Sequence, residues 1–198
     1  MHRLLYALAA LVALAAVLVP SALGVRVSVR VEGKTTTIFG ASEPRFEAGS
    51  NALQALDAAS AHAEFYYNVA QTSFGPYISQ IGRYPADASS GWVFKVNGGS
   101  PPVGADKVTL NESDRVLWYW ATFGPAGGPK TLRLQRRPKG CYRVLSEDDA
   151  GKTSAAVGAV LVVDGRRVRT RGGSACPGAH HGLVRATLAG AVRSNALR

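Results

Sequence analysis

Apolar and polar residues alternate without interruption over residues 25–31. A period of two residues predicts a β-strand whose four valines face a core, while the two arginines and the serine between them face solvent. A tight turn at 32–34 and a β-rich run at 35–39 follow. The pattern therefore predicts a hairpin at the start of the fold.

The pattern then changes to the helical period. Over residues 51–63 the apolar side chains recur at intervals of three and four, and either Ser50 or Asn51 can cap the first turn. The small residues on that face favour close packing against a sheet. Two short strands are predicted next, at 65–70 and 77–81.

Two aromatic segments, 92–96 and 115–120, contain all three tryptophans of the chain. The first alternates as a strand, and the pair Asn97-Gly98 after it is a strong turn signal because both residues tolerate positive φ. The second is apolar or aromatic at every position after Arg115, so both of its faces should be covered. We expect the two segments to face each other.

A hairpin, a helix and further strands, in this order, predict an α+β fold. The first predicted domain is β-grasp-like and spans 25–123, with one helix lying across a mixed sheet. Residues 124–130 are mostly Gly and Pro and predict a linker. Residues 131–198 are predicted to form a small all-β, sandwich-like domain, with strands at 131–136, 159–163, 166–170 and 183–188.

Several motifs of the first predicted domain resemble the transcobalamin-like C-terminal domain family, many of whose bacterial members are domains of unknown function. They are GWVFKVNG at 91–98, PVGA at 102–105, VLWYW at 116–120, ALQALDAA at 52–59 and SFGPYISQIG at 73–82. The family turn usually carries Gly-Asp where this chain has Ser113-Asp114. The resemblance covers about 25–123 and implies the β-grasp fold. In transcobalamins this domain closes over cobalamin against a large helical domain, which the sequence does not show, so cobalamin-like binding is an implication of the resemblance alone.

The first 24 residues are typical of a signal peptide. Arg3 supplies a positive charge, residues 4–19 are all apolar, and small residues precede the predicted cleavage site after Gly24. An N-terminal membrane anchor is the alternative, although the apolar run is shorter than the roughly 20 residues that span a bilayer. We expect a secreted or extracytoplasmic protein.

Cys141 and Cys176 are the only cysteines. An even number in an exported chain predicts a disulfide, and a metal pair would lack further ligands at a suitable spacing. No metal site and no cofactor are predicted. Cys176 and His181 resemble a thiol–imidazole pair only if the disulfide is absent.

The chain has a formal net charge of +10, or +9 without the predicted signal peptide. This charge favours solubility and weak contact with an anionic polymer or membrane surface. A nucleic-acid partner is not predicted, because no basic block is interleaved with aromatics. No sequence motif of a nucleophile, phosphate loop or dinucleotide site is present, so we expect no enzymatic activity.

The remaining candidate chemistry is aromatic. A sheet covered on one face by a helix leaves its other face either open as a ligand surface or covered by the second predicted domain, and the sequence leaves both alternatives open. We predict an exported, non-catalytic binding module of the cell envelope, with a purely structural envelope accessory as the alternative. The candidate ligand residues are Tyr77, Tyr84, Trp92, Phe94, Trp118, Tyr119 and Trp120.

Overall fold

The computed structural model describes residues 24–125 and 127–198. Strands dominate it, with 49% of residues against 7% in a helix. The elements in order are β1 Val25–Glu32, β2 Thr37–Phe39, β3 Arg45–Ala48, α1 Ala52–Ala63, β4 Tyr67–Thr72, β5 Gly75–Ile81, β6 Tyr84–Pro85, β7 Ser90–Val96, β8 Arg115–Thr122, β9 Thr131–Arg137, β10 Cys141–Glu147, β11 Thr153–Ala155, β12 Val160–Val163, β13 Arg166–Arg169, β14 Ser174–Ala175, β15 Val184–Thr187 and β16 Ala196–Leu197.

The predicted α+β, β-grasp-like class is wrong. The described residues form several sheets of an all-β type with one 12-residue helix. Two segments for which no element was predicted, β3 and β10, are strands. Both mix charged and apolar residues, so their own pattern is weak, and they are fixed by pairing with neighbours. β10, for example, pairs with β9 along seven residues, from Cys141 opposite Arg137 to Glu147 opposite Thr131.

The first half, residues 24–123, is built on a sheet of order β2-β1-β8-β7, with β3 paired to the end of β1. β1 runs parallel to β8, and β7 runs antiparallel to β8. The predicted helix is confirmed: the Asn51 side chain caps it by accepting a hydrogen bond of 2.9 Å from the Gln54 backbone N–H. Its small buried face packs on this sheet. A smaller sheet, β4-β5-β6, lies beyond it.

The strand prediction for β1 is confirmed, but the predicted solvent-facing side is wrong at two of three positions. Ser28 and Arg30 are buried, and only Arg26 is exposed. The cause is the second half, residues 131–198, which covers this face. Arg30 Nη1 donates a hydrogen bond of 3.0 Å to the carbonyl oxygen of Arg193. An alternating strand therefore has two covered faces, one aliphatic and one charged.

The second half contains two four-stranded sheets around one aliphatic core. One sheet has the order β11-β10-β14 with β9 beside β10, and the other has the order β13-β12-β15-β16. Leucines, valines and alanines of β9, β10, β12 and β15 fill the space between them. The predicted disulfide between Cys141 and Cys176 is confirmed. It ties β10 to the loop after β14.

Apolar and charged contacts join the two halves. Leu117, Tyr119 and Ala121 of β8 pack with Val192 in a third hydrophobic cluster. Beside it, the buried Glu32 carboxylate accepts hydrogen bonds from Arg185 and Arg193. Whether either half folds alone, as the predicted boundary at 124–130 implies, stays a prediction.

The predicted signal peptide lies outside the described residues, apart from Gly24. Within the part of the chain that the structure describes, no helix has the length and apolar character needed to cross a bilayer.

Candidate functional site

The two aromatic segments do face each other, as strands β7 and β8. Trp92 lies opposite Trp120, Phe94 opposite Trp118, and Val96 opposite Val116. Residues opposite each other in a ladder share a face, so their rings meet. Phe94 and Trp118 stack with centroids 5.0 Å apart, and Trp92 meets Trp120 edge to face at 5.7 Å.

Most of the predicted ligand residues are interior. Trp92, Trp118, Trp120 and Tyr84 are buried in the core beneath the helix, and Tyr119 is buried on the opposite face, in the cluster between the halves. β8 is therefore covered on both sides. Of the predicted ligand residues, Tyr77 is exposed at 38% and Phe94 is half-buried. An open aromatic sheet face does not form.

An aromatic cleft forms instead where β5 meets the β7–β8 pair. Its volume is about 390 Å³. Five of the seven predicted residues line it, namely Tyr77, Trp92, Phe94, Trp118 and Tyr119, while Tyr84 and Trp120 do not. Phe123, exposed at 48%, and Pro101 add further apolar wall. Aromatic side chains of strands β7 and β8 thus form the floor and walls of the cleft.

One end of the aromatic cleft is polar. Ser100 Oγ donates a hydrogen bond of 3.2 Å to Asp149 Oδ1, and the Ser100 backbone N–H donates one of 2.8 Å to the Asp149 carbonyl oxygen. Asp149 belongs to the turn after β10, so the second half supplies the only carboxylate among the described residues that line the cleft. The turn Asn97-Gly98 positions the Ser100 loop, and both residues have positive φ as predicted, at 52° and 95°.

Lys95 holds the Asp149 turn in place. Its side chain is fully buried, with Nζ 3.4 Å from Asp149 Oδ1 and donating to the carbonyl oxygen of Asp148 at 2.8 Å. Burial lowers the pKa of Lys95, and Asp149 partly offsets that effect. Burial, with the nearby Asp149 charge, raises the pKa of Tyr119. Tyr119 is therefore a neutral phenol at physiological pH.

The indole N–H groups of the three tryptophans differ. Trp92 Nε1 donates a hydrogen bond of 2.9 Å to the carbonyl oxygen of Tyr84. Trp118 Nε1 and Trp120 Nε1 are buried and have no acceptor among the described residues. A buried donor without a partner costs roughly 1–3 kcal/mol. Trp118 lines the aromatic cleft, so one of these unpaired donors belongs to a residue of its wall.

The other candidate groups do not assemble near the aromatic cleft. Cys141 and Cys176 are joined, which removes the thiol of the Cys176–His181 pair. His180 Nε2 lies 2.9 Å from the Tyr142 hydroxyl, on the disulfide side of the second half. Across residues 24–125 and 127–198, no three His, Cys, Asp or Glu side chains are grouped to hold a metal ion.

Comparison with known proteins finds a family model that matches this region. Residues 49–122 match the family model described as "Domain of unknown function (DUF4430)". No curated protein matches the chain. Among solved structures, a protein from Ruminococcus gnavus ATCC 29149 described as a "putative metal binding protein" aligns with a TM-score of 0.40 and 14% identity, covering 50% of this chain and 99% of that one. None of these comparisons names transcobalamins, so that resemblance stays a prediction.

The DUF4430 match includes α1 and β4 to β8 but ends before Phe123 and Asp149. These two residues and Ser100 are among the cleft residues that sequence reasoning missed. Asp149 had only a local signal, an acidic turn. Nothing in the sequence shows that this turn packs against a strand more than 50 residues earlier. The Lys95 contact that brings them together is visible only in three dimensions.

Proposed function

We propose that this chain is a non-catalytic binding module that works outside the cytoplasm and takes a small, largely apolar ligand in the aromatic cleft. The observation that carries the proposal is the cleft itself. Ligand sites are typically concave, mainly apolar and aromatic, with a few converging polar groups. About 390 Å³ lined by Tyr77, Phe94 and Trp118, with Ser100 and Asp149 at one end, meets that description.

The polar groups suggest how such a ligand would be oriented. Asp149 accepts hydrogen bonds and carries a negative charge. Lys95 neutralises that charge only in part, because the Asp149 side chain is 53% exposed. A ligand donor group, neutral or cationic, would therefore point to this end. A flat or ring-containing molecule with a donor at one end fits best.

The disulfide supports the proposed location. Disulfides persist in oxidising compartments and are rare in the cytosol. Together with the predicted signal peptide, Cys141–Cys176 favours an extracytoplasmic protein. The alternative function, a structural envelope accessory, is supported by the burial of Trp92, Trp118 and Trp120, because these rings fill the core instead of forming an open ligand surface.

Binding of Nile red, a neutral apolar dye, tests the proposal. Tyr77→Ala and Phe123→Ala remove exposed rings of the cleft and should each weaken binding about fivefold, the effect of about 1 kcal/mol at a contact residue. Tyr66→Ala and Phe74→Ala are matched controls, because these side chains are 59% and 98% exposed and do not line the cleft. The controls should bind as wild type does.

Equal loss in the cleft and control variants would show non-specific adsorption and contradict the proposal. Absence of dye binding, with no small molecule found by mass spectrometry in protein purified from its native source, would favour the structural accessory instead. A co-purified apolar molecule that protects the Phe123 side of the cleft from hydrogen exchange would support the binding module.

A further inference from the structure

A second cleft lies at the junction of the two halves and shares no residue with the aromatic cleft. Its volume is about 540 Å³. We call it the arginine cleft, because four arginines line it: Arg45, Arg115, Arg133 and Arg136.

The arginine cleft is built by strand register. In the first half, Ser28 of β1 lies opposite Arg45 of β3 on one side and opposite Arg115 of β8 on the other. Residues in register share a face, so this is a row of Arg, Ser and Arg across three neighbouring strands. Arg133 and Arg136 of β9 line the cleft from the second half. Two arginines therefore come from each half.

The positive charges of the cleft are mostly unbalanced. Among its described lining residues, Glu43 is the single carboxylate, and it lies 3.1 Å from Arg133 Nη1 and 3.6 Å from Arg30 Nε. The guanidinium groups of Arg45, Arg115 and Arg136 have no hydrogen bond or ion pair with any described residue. Four cations thus surround one carboxylate that is already engaged.

Arg115 shows the cost of this arrangement. Its side chain is half-buried, and burial together with the nearby charge of Arg133 lowers its pKa. Holding like charges together in a partly desolvated place is unfavourable unless an anion joins them. Ser42 and Ser113 also line the cleft, and their hydroxyls bond to no other described residue. Every free group there can donate a hydrogen bond.

We propose that the arginine cleft binds a phosphate group, and that docking of the two halves creates this site. Arginine forks and serine hydroxyls match phosphate oxygens, which accept hydrogen bonds only. Donors come from β3 and β8 on one side and from β9 on the other, which suits a tetrahedral anion better than a planar carboxylate. This inference is independent of the ligand of the aromatic cleft.

The test is titration calorimetry with inorganic pyrophosphate at constant ionic strength, beside co-sedimentation with phosphatidylglycerol vesicles and phosphatidylcholine controls. Arg115→Gln should weaken phosphate binding about tenfold or more, as expected when a charged hydrogen-bond donor is lost. Arg167→Gln is the matched control: it removes the same charge from an exposed residue of β13 that does not line the cleft. It should change binding less than twofold.

Arg45→Gln provides a second variant at an exposed position, where misfolding is not expected, and it should weaken binding in the same way. Arg115→Gln should melt no lower than wild type, because it relieves repulsion from Arg133. Binding of pyrophosphate that is weakened by Arg115→Gln and Arg45→Gln supports the proposal and identifies a soluble phosphate as the ligand. Arginine-dependent binding of phosphatidylglycerol vesicles alone supports it with a lipid headgroup as the source. Equal losses in Arg115→Gln and Arg167→Gln, or no binding of either probe by wild type, would overturn it.

Discussion

The two halves of the molecule reach a packed interior by different means. Residues 25–123 contain all three tryptophans, all six phenylalanines and five tyrosines, whereas residues 131–198 contain one aromatic residue, Tyr142. The first half has eight basic and nine acidic residues, and the second has thirteen basic and four acidic. The disulfide lies in the second half.

The comparison shows that the size of the core side chains and the net charge of a region decide which additional stabilising contacts it requires. Large aromatic side chains bury much area per residue, so the first half builds its core without a covalent link. Leucine, valine and alanine bury less, and the second half carries a strong positive charge that opposes compaction. A disulfide and a charged junction with Glu32 offset these costs.

Loss of Glu32 should be among the most damaging changes. Its side chain is buried and accepts hydrogen bonds from Thr37, Arg185 and Arg193. Glu32→Gln keeps the shape but removes the counter-charge of the half-buried Arg185 and Arg193 and of the buried Arg30, which should lower the free energy of unfolding by about 3–5 kcal/mol. Urea denaturation followed by tryptophan fluorescence measures this. Glu47→Gln, at an exposed position of β3, is the control and should cost well under 1 kcal/mol.

The two faces of β8 should matter about equally. Trp118 faces the aromatic core and Tyr119 faces the second half, and both are 2% exposed. Trp118→Ala and Tyr119→Ala should each lower stability by about 3–5 kcal/mol, as for other large buried aromatics. Thermal unfolding measures the effect. A Tyr119→Ala variant as stable as wild type would show that the halves separate readily in solution.

Removal of the disulfide should cost somewhat less. Cys141→Ala with Cys176→Ala opens a link of 35 residues in sequence separation and should lower stability by about 2–5 kcal/mol. Because every tryptophan lies in the first half, fluorescence reports that half alone, whereas far-UV circular dichroism reports the backbone of both halves. Coincident transitions would show that the halves unfold together. A circular dichroism transition that precedes the fluorescence one would locate the loss in the second half.

The smallest expected effect is a titration. Hydrogen bonds from Thr35, Thr36 and Arg83 lower the pKa of Tyr84 from 10.0 to about 7. Because the folded-state pKa is lowered, the stabilisation from this group is fully present above about pH 10 and is lost as the pH falls through about 7. Absorbance at 295 nm should show one tyrosine ionising near pH 7, and Tyr84→Phe should abolish this step.

Tyr67 is the matched control for that titration. Burial and its hydrogen bond to Asp57 raise the pKa of Tyr67 to about 12. Tyr67→Phe should therefore leave the step near pH 7 unchanged. If the step survives in Tyr84→Phe, the phenol of Tyr84 keeps an ordinary pKa in solution.

The sequence predicted the elements whose own pattern is strong. The alternation of β1 and the cap and period of α1 were recognised because each depends on neighbours within a few residues. The pairing of β7 with β8 was expected from the aromatic residues that both segments contain. β3 and β10 were missed because their own pattern is weak, and pairing with β1 and β9 fixes them as strands. The buried charges of Arg30 and Glu32 were also missed, since a polar residue in an alternating strand normally faces water.

The residues of the candidate site also separate into those that the sequence indicated and those that it did not. The aromatic residues were found as a group, because their density is visible in the sequence. Asp149 was not placed at the cleft, because its contacts there, with Lys95 and Ser100, join residues about 50 positions apart in sequence. The arginine cleft combines residues from strands β3, β8 and β9, whose adjacency no local signal indicates.

The position of β1 has a consequence for the order of folding. β1 is the first strand of the described chain, yet its parallel partner β8 begins only at Arg115. Glu32 of β1 accepts a hydrogen bond from Arg193, 161 residues later in the chain. A chain that emerges from its N-terminus exposes one edge of this valine-rich strand through much of its synthesis. Such an edge can pair with other chains until β8 arrives. The first strand of the described chain is thus among the last to gain all of its partners, and a polypeptide that lacks β8 is the form most exposed to aggregation.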